Sequence, residues 1–346
     1  MIEFGLLLIG LVVVVIGAEL VVRGGSRVAA RLGVSPMIIG VTVVAVGTST
    51  PELAVGIEAA LQGAGSLAIG NIAGTNTLNL LFILGLVALL RPLPLRSQVI
   101  RLDLPVMVVA ATVMYLLALD GDYSRLDGAV LLVLGIIYTT LVMRVARRES
   151  FETRAEYARE YGDHRSRSAA GSDTASTPAP APGAPSLSVS APNGHPLRHA
   201  VMLVAGIVII VIGADWLVDG AEGVARNLGV SDALIGLTVV AIGTSAPELV
   251  TAIVSTIRKE RDIAVGNLIG SSVYNIVIIF GITALVPPNG IPVDQNFILI
   301  DLPVMVAATV VCIPVFLTGA RIQRAEGGLF VLAYLAYLTT LVVTRT

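Results

Sequence analysis

Apolar residues run along this chain in blocks of about 20 or more, the length an α-helix needs to cross a hydrocarbon core of about 30 Å. The blocks fall near residues 3–22, 36–61, 67–90, 102–119, 126–146, 199–218, 232–257, 263–286, 297–318 and 327–344. They predict an all-α membrane protein with ten transmembrane helices. The connections are short except for residues 147–198. That stretch opens with a charged, helix-prone segment, Glu149 to Tyr161, expected to carry the fifth helix into the cytosol. From about Ser166 to Asn193 it turns rich in Ser, Ala, Pro and Gly. A segment so polar and proline-broken builds no core, and a flexible tether is expected there.

Composition strengthens the membrane reading. Hydrophobic residues make up 55% of the 346 and charged ones 13%, against roughly 25% charged in soluble domains. Mean hydropathy is +0.89. A fold this apolar cannot cover itself with polar surface, so its solvent is a bilayer. The net charge of −2 and the thin scatter of basic residues give no nucleic-acid footprint. The single cysteine, Cys312, excludes an intrachain disulfide. The first apolar run follows Glu3, without a basic leader or a small-residue cleavage site, so a retained helix is expected.

The basic residues orient the spans, because Lys and Arg collect on the cytoplasmic side. With the N-terminus outside, 19 of the 22 lie in inside loops, and only Arg125, Arg226 and Arg345 lie outside. The expectation is a multi-pass protein of the cell inner (plasma) membrane, with both termini outside and the long loop cytoplasmic.

The chain also contains one unit twice. Residues 37–85 match 233–281 at a constant offset of 196. VGTSTPELAV at 46–55 returns as IGTSAPELVT at 242–251, and GNIAGTNTLNLLFILG at 70–85 as GNLIGSSVYNIVIIFG at 266–281. DLPVM at 103–107 returns at 301–305. The domain plan is therefore a first five-helix repeat (1–146), the cytoplasmic loop (147–198) and a second five-helix repeat (199–346). Five is odd, so the second unit enters the membrane from the opposite side. Inverted repeats place a substrate site near the midplane, where the copies meet.

Glu52 and Glu248 sit well inside apolar spans, where a carboxylate costs at least ~2.5 kcal/mol. Hydroxyls precede each by three and four residues, Ser49 and Thr48 for one, Ser245 and Thr244 for the other, on the carboxylate's face of the helix. Pro51 and Pro247 remove the donors to the carbonyls of Gly47 and Gly243, which frees backbone oxygen nearby. The next helix of each unit adds Thr75 with Asn79 and Ser271 with Asn275, four apart on one face. This all-oxygen set suits hard cations such as Ca²⁺ and Na⁺ better than Zn²⁺ or Cu²⁺. A lone Pro-Glu is also compatible, though less so, with a kink whose neutral carboxylate bonds a neighbouring helix. Two copies in inverted frames favour the site.

Other intramembrane polar positions carry weaker signals. Gly70 with Gly74, and Gly266 with Gly270, have the small-x-x-x-small spacing of helix packing. Asp103 and Asp301 each precede a proline by two and are expected as helix N-caps. Glu19 and Asp215 either line an approach or face headgroups. Glu58, whose repeat partner is Val254, is expected outside the site.

The paired stretches resemble the α-repeats of the calcium/cation antiporter superfamily, in its prokaryotic sodium/calcium exchanger branch. The motifs that carry the likeness are G-T-S-x-P-E on the second and seventh helices and G-N-x-x-G-[ST]-x-x-x-N on the third and eighth. The resemblance implies that Glu52 and Glu248 ligate Ca²⁺ and share the Na⁺ sites. It also implies oxygens from Thr48, Ser49, Thr244 and Ser245, carbonyls of Ala45 and Ala241, and side-chain ligands Thr75, Asn79, Ser271 and Asn275. It implies alternating access in which the first and sixth helices slide past the other eight. Asn275 departs from the aspartate frequent in the branch, so two formal carboxylates are expected where three would stand. No glutamate occupies the third-helix motif, where the proton-coupled branch carries one.

The function expected is antiport of Ca²⁺ against Na⁺ across the membrane, by a monomeric functional unit with the ions as substrates and no cofactor. A Ca²⁺/H⁺ exchanger using the same glutamates as proton carriers is the alternative. A channel usually assembles its pore from several subunits, whereas this chain holds both halves of its site. An enzyme is not expected, since His164, His195 and His199 all lie in or beside the tether.

Overall fold

The computed structural model describes residues 2–169, 196–227 and 241–345. Most of the predicted tether, and residues 228–240 at the start of the predicted seventh span, lie outside the described residues. The chain is helical: α1 Ile2–Leu32, α2 Pro36–Leu61, α3 Gly65–Leu90, α4 Val99–Asp120, α5 Arg125–Ala169 and α6 Pro196–Asn227. After the undescribed segment come α7 (Ala241–Thr244 and Ala246–Ile257), α8 Arg261–Leu285, α9 Phe297–Leu317 and α10 Arg324–Arg345. Among the described residues, eight helices are long and apolar enough to cross a membrane, all except α7 and α10.

The polarity of the molecule runs inside out. Leu8, Ile9, Val12 and Ile16 of α1, and Val133, Ile136 and Ile137 of α5, are exposed, while Glu52, Glu248, Asn79 and Asn275 are wholly buried. Aliphatic surface is stable against lipid, so the interior is free to hold polar groups that find partners there.

Two glycine rows fasten α1 antiparallel to α6. A Cβ at Gly17 would stand 2.8 Å from the backbone nitrogen of Ile210, and one at Gly213 would stand 2.8 Å from that of Val14. Gly24 and Gly206 are equally tight, against Leu203 and Val21. Any side chain there would force the helices apart. Towards the rest of the protein, α1 offers Val14, Ala18 and Val21 in an aliphatic cluster with Val44 of α2, against which Val250 and Val254 of α7 pack.

Among the described residues, five helical segments widen into π turns: Gly40–Val44, Leu78–Ile83, Val99–Asp103, Asn275–Phe280 and Phe297–Asp301. Two of these have a direct cause. Pro105 and Pro303 lack an amide proton and press on the preceding turn, which widens over Val99–Asp103 and Phe297–Asp301. This corrects the N-cap expectation for Asp103 and Asp301. Both have helical backbone angles and make no capping bond, because their helices begin a turn earlier. Each carboxylate instead accepts a tyrosine hydroxyl, Tyr138 to Asp103 at 3.0 Å and Tyr337 to Asp301 at 2.7 Å.

Among the described residues, four two-residue strands tie the loops together. Leu93–Pro94 (β1) pairs antiparallel with Arg321–Ile322 (β4), and Asp122–Tyr123 (β2) with Ile291–Pro292 (β3). At the β1–β4 end, Arg96 bonds Asp262 at 2.6 Å and Arg261 donates to the carbonyl of Pro92 at 2.9 Å. At the β2–β3 end, Arg125 donates to the carbonyl of Pro287 at 3.1 Å and Ser66 bonds Asp294. Under the repeat, β1 corresponds to β3 and β2 to β4, so each pair joins unlike loops of the two units.

Candidate ion-binding site

Helices α2 and α7 break at equivalent points. Ser49 (φ −85°, ψ 11°) and Ser245 (φ −88°, ψ 4°) leave the helical region, and a fresh helix starts with Pro51 or Pro247 in its first turn. The breaks turn Thr48, Ser49 and Glu52 in one unit, and Thr244, Ser245 and Glu248 in the other, into the buried centre.

The polar groups interlock across the two units. Ser49 donates to Glu248 Oε1 at 3.4 Å, and Ser271 donates to the same oxygen at 3.4 Å. Thr48 lies 3.5 Å from the Ser271 hydroxyl. The carbonyl of Ala45 accepts contacts from both Thr48 and Ser271, at 3.4 Å each. On the opposite flank, Ser245 donates to Thr75 Oγ1 at 3.4 Å. Of the sequence-derived residues, Thr48, Ser49, Ala45, Ser271 and Glu248 thus form one contiguous set, with Ser245 and Thr75 as a second contact. Ala241 opens the described part of α7.

Glu52, Asn79 and Asn275 are brought into the interior without such contacts. Both Glu52 carboxylate oxygens, Glu248 Oε2, and both side-chain polar atoms of Asn79 and Asn275 have no hydrogen-bond partner among the described residues. Each of these side chains is wholly buried. Orphaned buried carboxylate and amide oxygens are costly in a protein interior and fit a cation as partner. Asn79 and Asn275 also lie in the π turns of α3 and α8, a distortion frequent at functional sites.

Sequence reasoning passed over Asn71 and Asn267. The Asn71 amide donates to the Glu52 carbonyl at 3.2 Å, and Asn267 Oδ1 accepts from Thr48 at 3.1 Å. Their signal is in the sequence: both follow the first glycine of the G-N-x-x-G motif, whose glycines read as packing positions. Packing does hold for Gly266 and Gly270, where a Cβ would stand 2.6 Å from the carbonyls of Met37 and Val41. The segment that the repeat places against Gly70 and Gly74, residues 233–237, lies outside the described residues. Among the other charges, Glu19 bonds Arg23 and Arg258, and Glu58 is exposed and bonds Gln62 at 3.1 Å.

Apolar helices wrapped around buried carboxylates, hydroxyls and amides define an integral membrane protein of the ion-transporting class. The comparison with known families is specific: the chain belongs to the family described as sodium/calcium exchanger protein, whose model matches residues 2–144 and 198–343. It is 33% identical to the putative antiporter CaxA of Alkalimonas amylolytica, over 95% of each chain. It is 32% identical to the sodium/calcium exchanger MaX1 of Methanosarcina acetivorans, over 98% of each. Among solved structures it resembles the sodium-calcium exchanger NCX_Mj soaked with Na⁺ and Sr²⁺, with a TM-score of 0.77, 26% identity and 98% of each chain covered.

Proposed function

We propose that this protein is a secondary antiporter that exchanges Ca²⁺ for Na⁺ by alternating access. Glu52 and Glu248 would be the charged ligands, with neutral oxygens from Thr48, Ser49, Thr75, Asn79, Thr244, Ser245, Ser271, Asn275 and the carbonyls of Ala45 and Ala241. The observation that carries the reading is the interlock across the units, with Ser49 and Ser271 both directed at Glu248 Oε1. One buried cluster built from both units offers a single site that either face can reach.

The charge count fits this exchange. Two carboxylates compensate one Ca²⁺ or two Na⁺, and Asn275 supplies an amide oxygen without a third charge. The topology proposed is ten spans in two inverted five-helix repeats, separated by the 147–198 loop. The strand pairs support it: β1–β4 and β2–β3 each join loops that the basic residues assign to one side. Arg96, Arg261, Arg321 and Arg324 gather at the β1–β4 end, which is therefore assigned to the cytoplasm. The working unit would be a monomer in the plasma membrane, with both termini outside.

The test is ⁴⁵Ca²⁺ flux in proteoliposomes under imposed gradients. An outward Na⁺ gradient should drive uptake with the membrane potential clamped. Uptake driven equally well by a proton gradient in Na⁺-free buffer would assign the protein to Ca²⁺/H⁺ exchange.

A further inference from the structure

Helix α7 carries a polar stripe that the site does not use. Thr251, Ser255 and Arg258 follow Glu248 at intervals of three, four and three residues, so all four project from one side of the helix. Thr251 and Ser255 are wholly buried, and neither hydroxyl has a hydrogen-bond partner among the described residues. The adjacent Thr256 and Ser26 of α1 share this state among the described residues, while other helical hydroxyls do not. Thr42, Thr77, Thr139, Ser272 and Thr283 each bond the carbonyl four residues back, the default of a hydroxyl in an apolar helix. The same bond is open in principle to Thr251 and Ser255, and neither makes it.

The stripe belongs to one unit only. Its counterparts on α2 are Val55, Ala59 and Gln62. An equivalent helix is therefore built without hydroxyls there, and packing of the fold does not demand them. At the far end of the stripe Arg258 reaches across to α1, where Glu19 accepts its Nε at 2.8 Å and its terminal guanidinium nitrogen at 2.5 Å. Glu19 corresponds to Asp215 and Arg258 to Gln62, so the other unit has no basic residue with which to repeat the pair. Between these ends, Val250 and Val254 pack against the aliphatic side of α1.

We propose that Thr251 and Ser255 line an ion passage from Glu248 to the Arg258 end of α7, and that the Glu19–Arg258 ion pair latches its mouth. The inference rests on the exchange reading. A cation leaving or entering the site exchanges water for protein oxygen in steps, and two neutral hydroxyls in line with Glu248 supply those steps. With α1 in place, the valines seal the passage from the side and the ion pair holds α1 to α7. When α1 moves, the pair with Arg258 breaks, the hydroxyls meet water, and Glu19 travels with Arg23 on α1.

Two experiments test it in sealed proteoliposomes of known orientation. In the first, Thr251→Val combined with Ser255→Ala installs aliphatic residues like those of the opposite unit. The half-saturating Ca²⁺ concentration should rise several-fold when Ca²⁺ is added on the Arg258 side and stay unchanged on the other. Equal change on both sides, or none on either, overturns the passage. In the second, Ser255→Cys in a Cys312→Ala background is labelled with a membrane-impermeant thiol reagent. Labelling should occur from the Arg258 side alone and become several-fold faster when Glu19→Gln is added. Labelling from the opposite side, or a rate indifferent to Glu19→Gln, overturns the passage or the latch respectively. Thiol labelling does not depend on transport. A protein that labels as expected but fails to couple Ca²⁺ to Na⁺ would refute the exchange reading while the passage stands.

Discussion

Ser49, at the break of α2, directs its hydroxyl at the carboxylate of Glu248, 199 residues later on α7. The equivalent serine, Ser245, meets Thr75 of the first unit in turn. Each broken helix therefore completes its polar shell with a group from the other repeat.

Replacing either glutamate should therefore stop exchange. Glu52→Gln and Glu248→Gln each leave one formal charge for a divalent cation, and flux of ⁴⁵Ca²⁺ should fall to background for both. Folding should survive, because the amide is isosteric and removes a buried charge whose desolvation is costly. Size-exclusion profile and thermal unfolding in detergent give the control. Near-normal flux in either variant would show that the two carboxylates do not share one site.

The paired tyrosines predict effects on stability and not on ion selectivity. Tyr138→Phe removes the hydroxyl that Asp103 accepts at 3.0 Å, and Tyr337→Phe the one that Asp301 accepts at 2.7 Å. Side-chain hydrogen bonds between membrane helices are worth roughly 0.6–2 kcal/mol. Tyr138 is wholly buried and Tyr337 only half-buried, so headgroups or water can compensate better at the second. Unfolding in mixed micelles should show the larger loss for Tyr138→Phe. An equal loss, or a changed preference between Ca²⁺ and Sr²⁺, would contradict a purely structural role.

Deleting about residues 168–192 should leave transport intact. The segment has the composition of a chain that buries no core, and the family match stops at 144 and resumes at 198. The measurement is Na⁺-driven ⁴⁵Ca²⁺ uptake normalised to protein in the membrane. Loss of uptake at normal membrane abundance would reveal a regulatory element within those residues.

The repeat makes much of the buried polar centre legible in the sequence. Glu52, Glu248 and the hydroxyls before them announce themselves, because a carboxylate beside a proline in an apolar run has few structural reasons to exist. The π turns at Asn79 and Asn275 were invisible, since an added residue in a helical turn leaves no mark on hydropathy. The same holds at Asp103 and Asp301, where a proline that ordinarily marks a helix start only widens a turn, so the capping rule does not apply. The α1–α6 seam was legible in retrospect, as glycines spaced by seven at 10, 17 and 24 and at 206, 213 and 220. The partnership of Arg258 with Glu19 is not, because it depends on how α7 packs against α1, which no local pattern encodes.

Coupling to Na⁺ is the prediction that turns on a single position. Asn275 is wholly buried in the π turn of α8, and neither of its amide atoms has a partner among the described residues. An amide there offers one neutral oxygen, so the site's formal charge stays at −2 and two Na⁺ suffice to replace one Ca²⁺ without residual charge. Asn275→Asp raises the formal charge to −3. A third Na⁺ is then needed for neutrality, and the dependence of Ca²⁺ flux on Na⁺ concentration should become steeper. The preference among divalent ions should stay as in the unsubstituted protein, because the other proposed oxygen ligands are untouched. Flux of ⁴⁵Ca²⁺ measured against graded Na⁺ at clamped potential reads the change as a higher Hill coefficient. A Hill coefficient identical in both proteins would place Asn275 outside the Na⁺ sites, and a loss of Na⁺ dependence with gain of proton-driven flux would move the coupling ion itself.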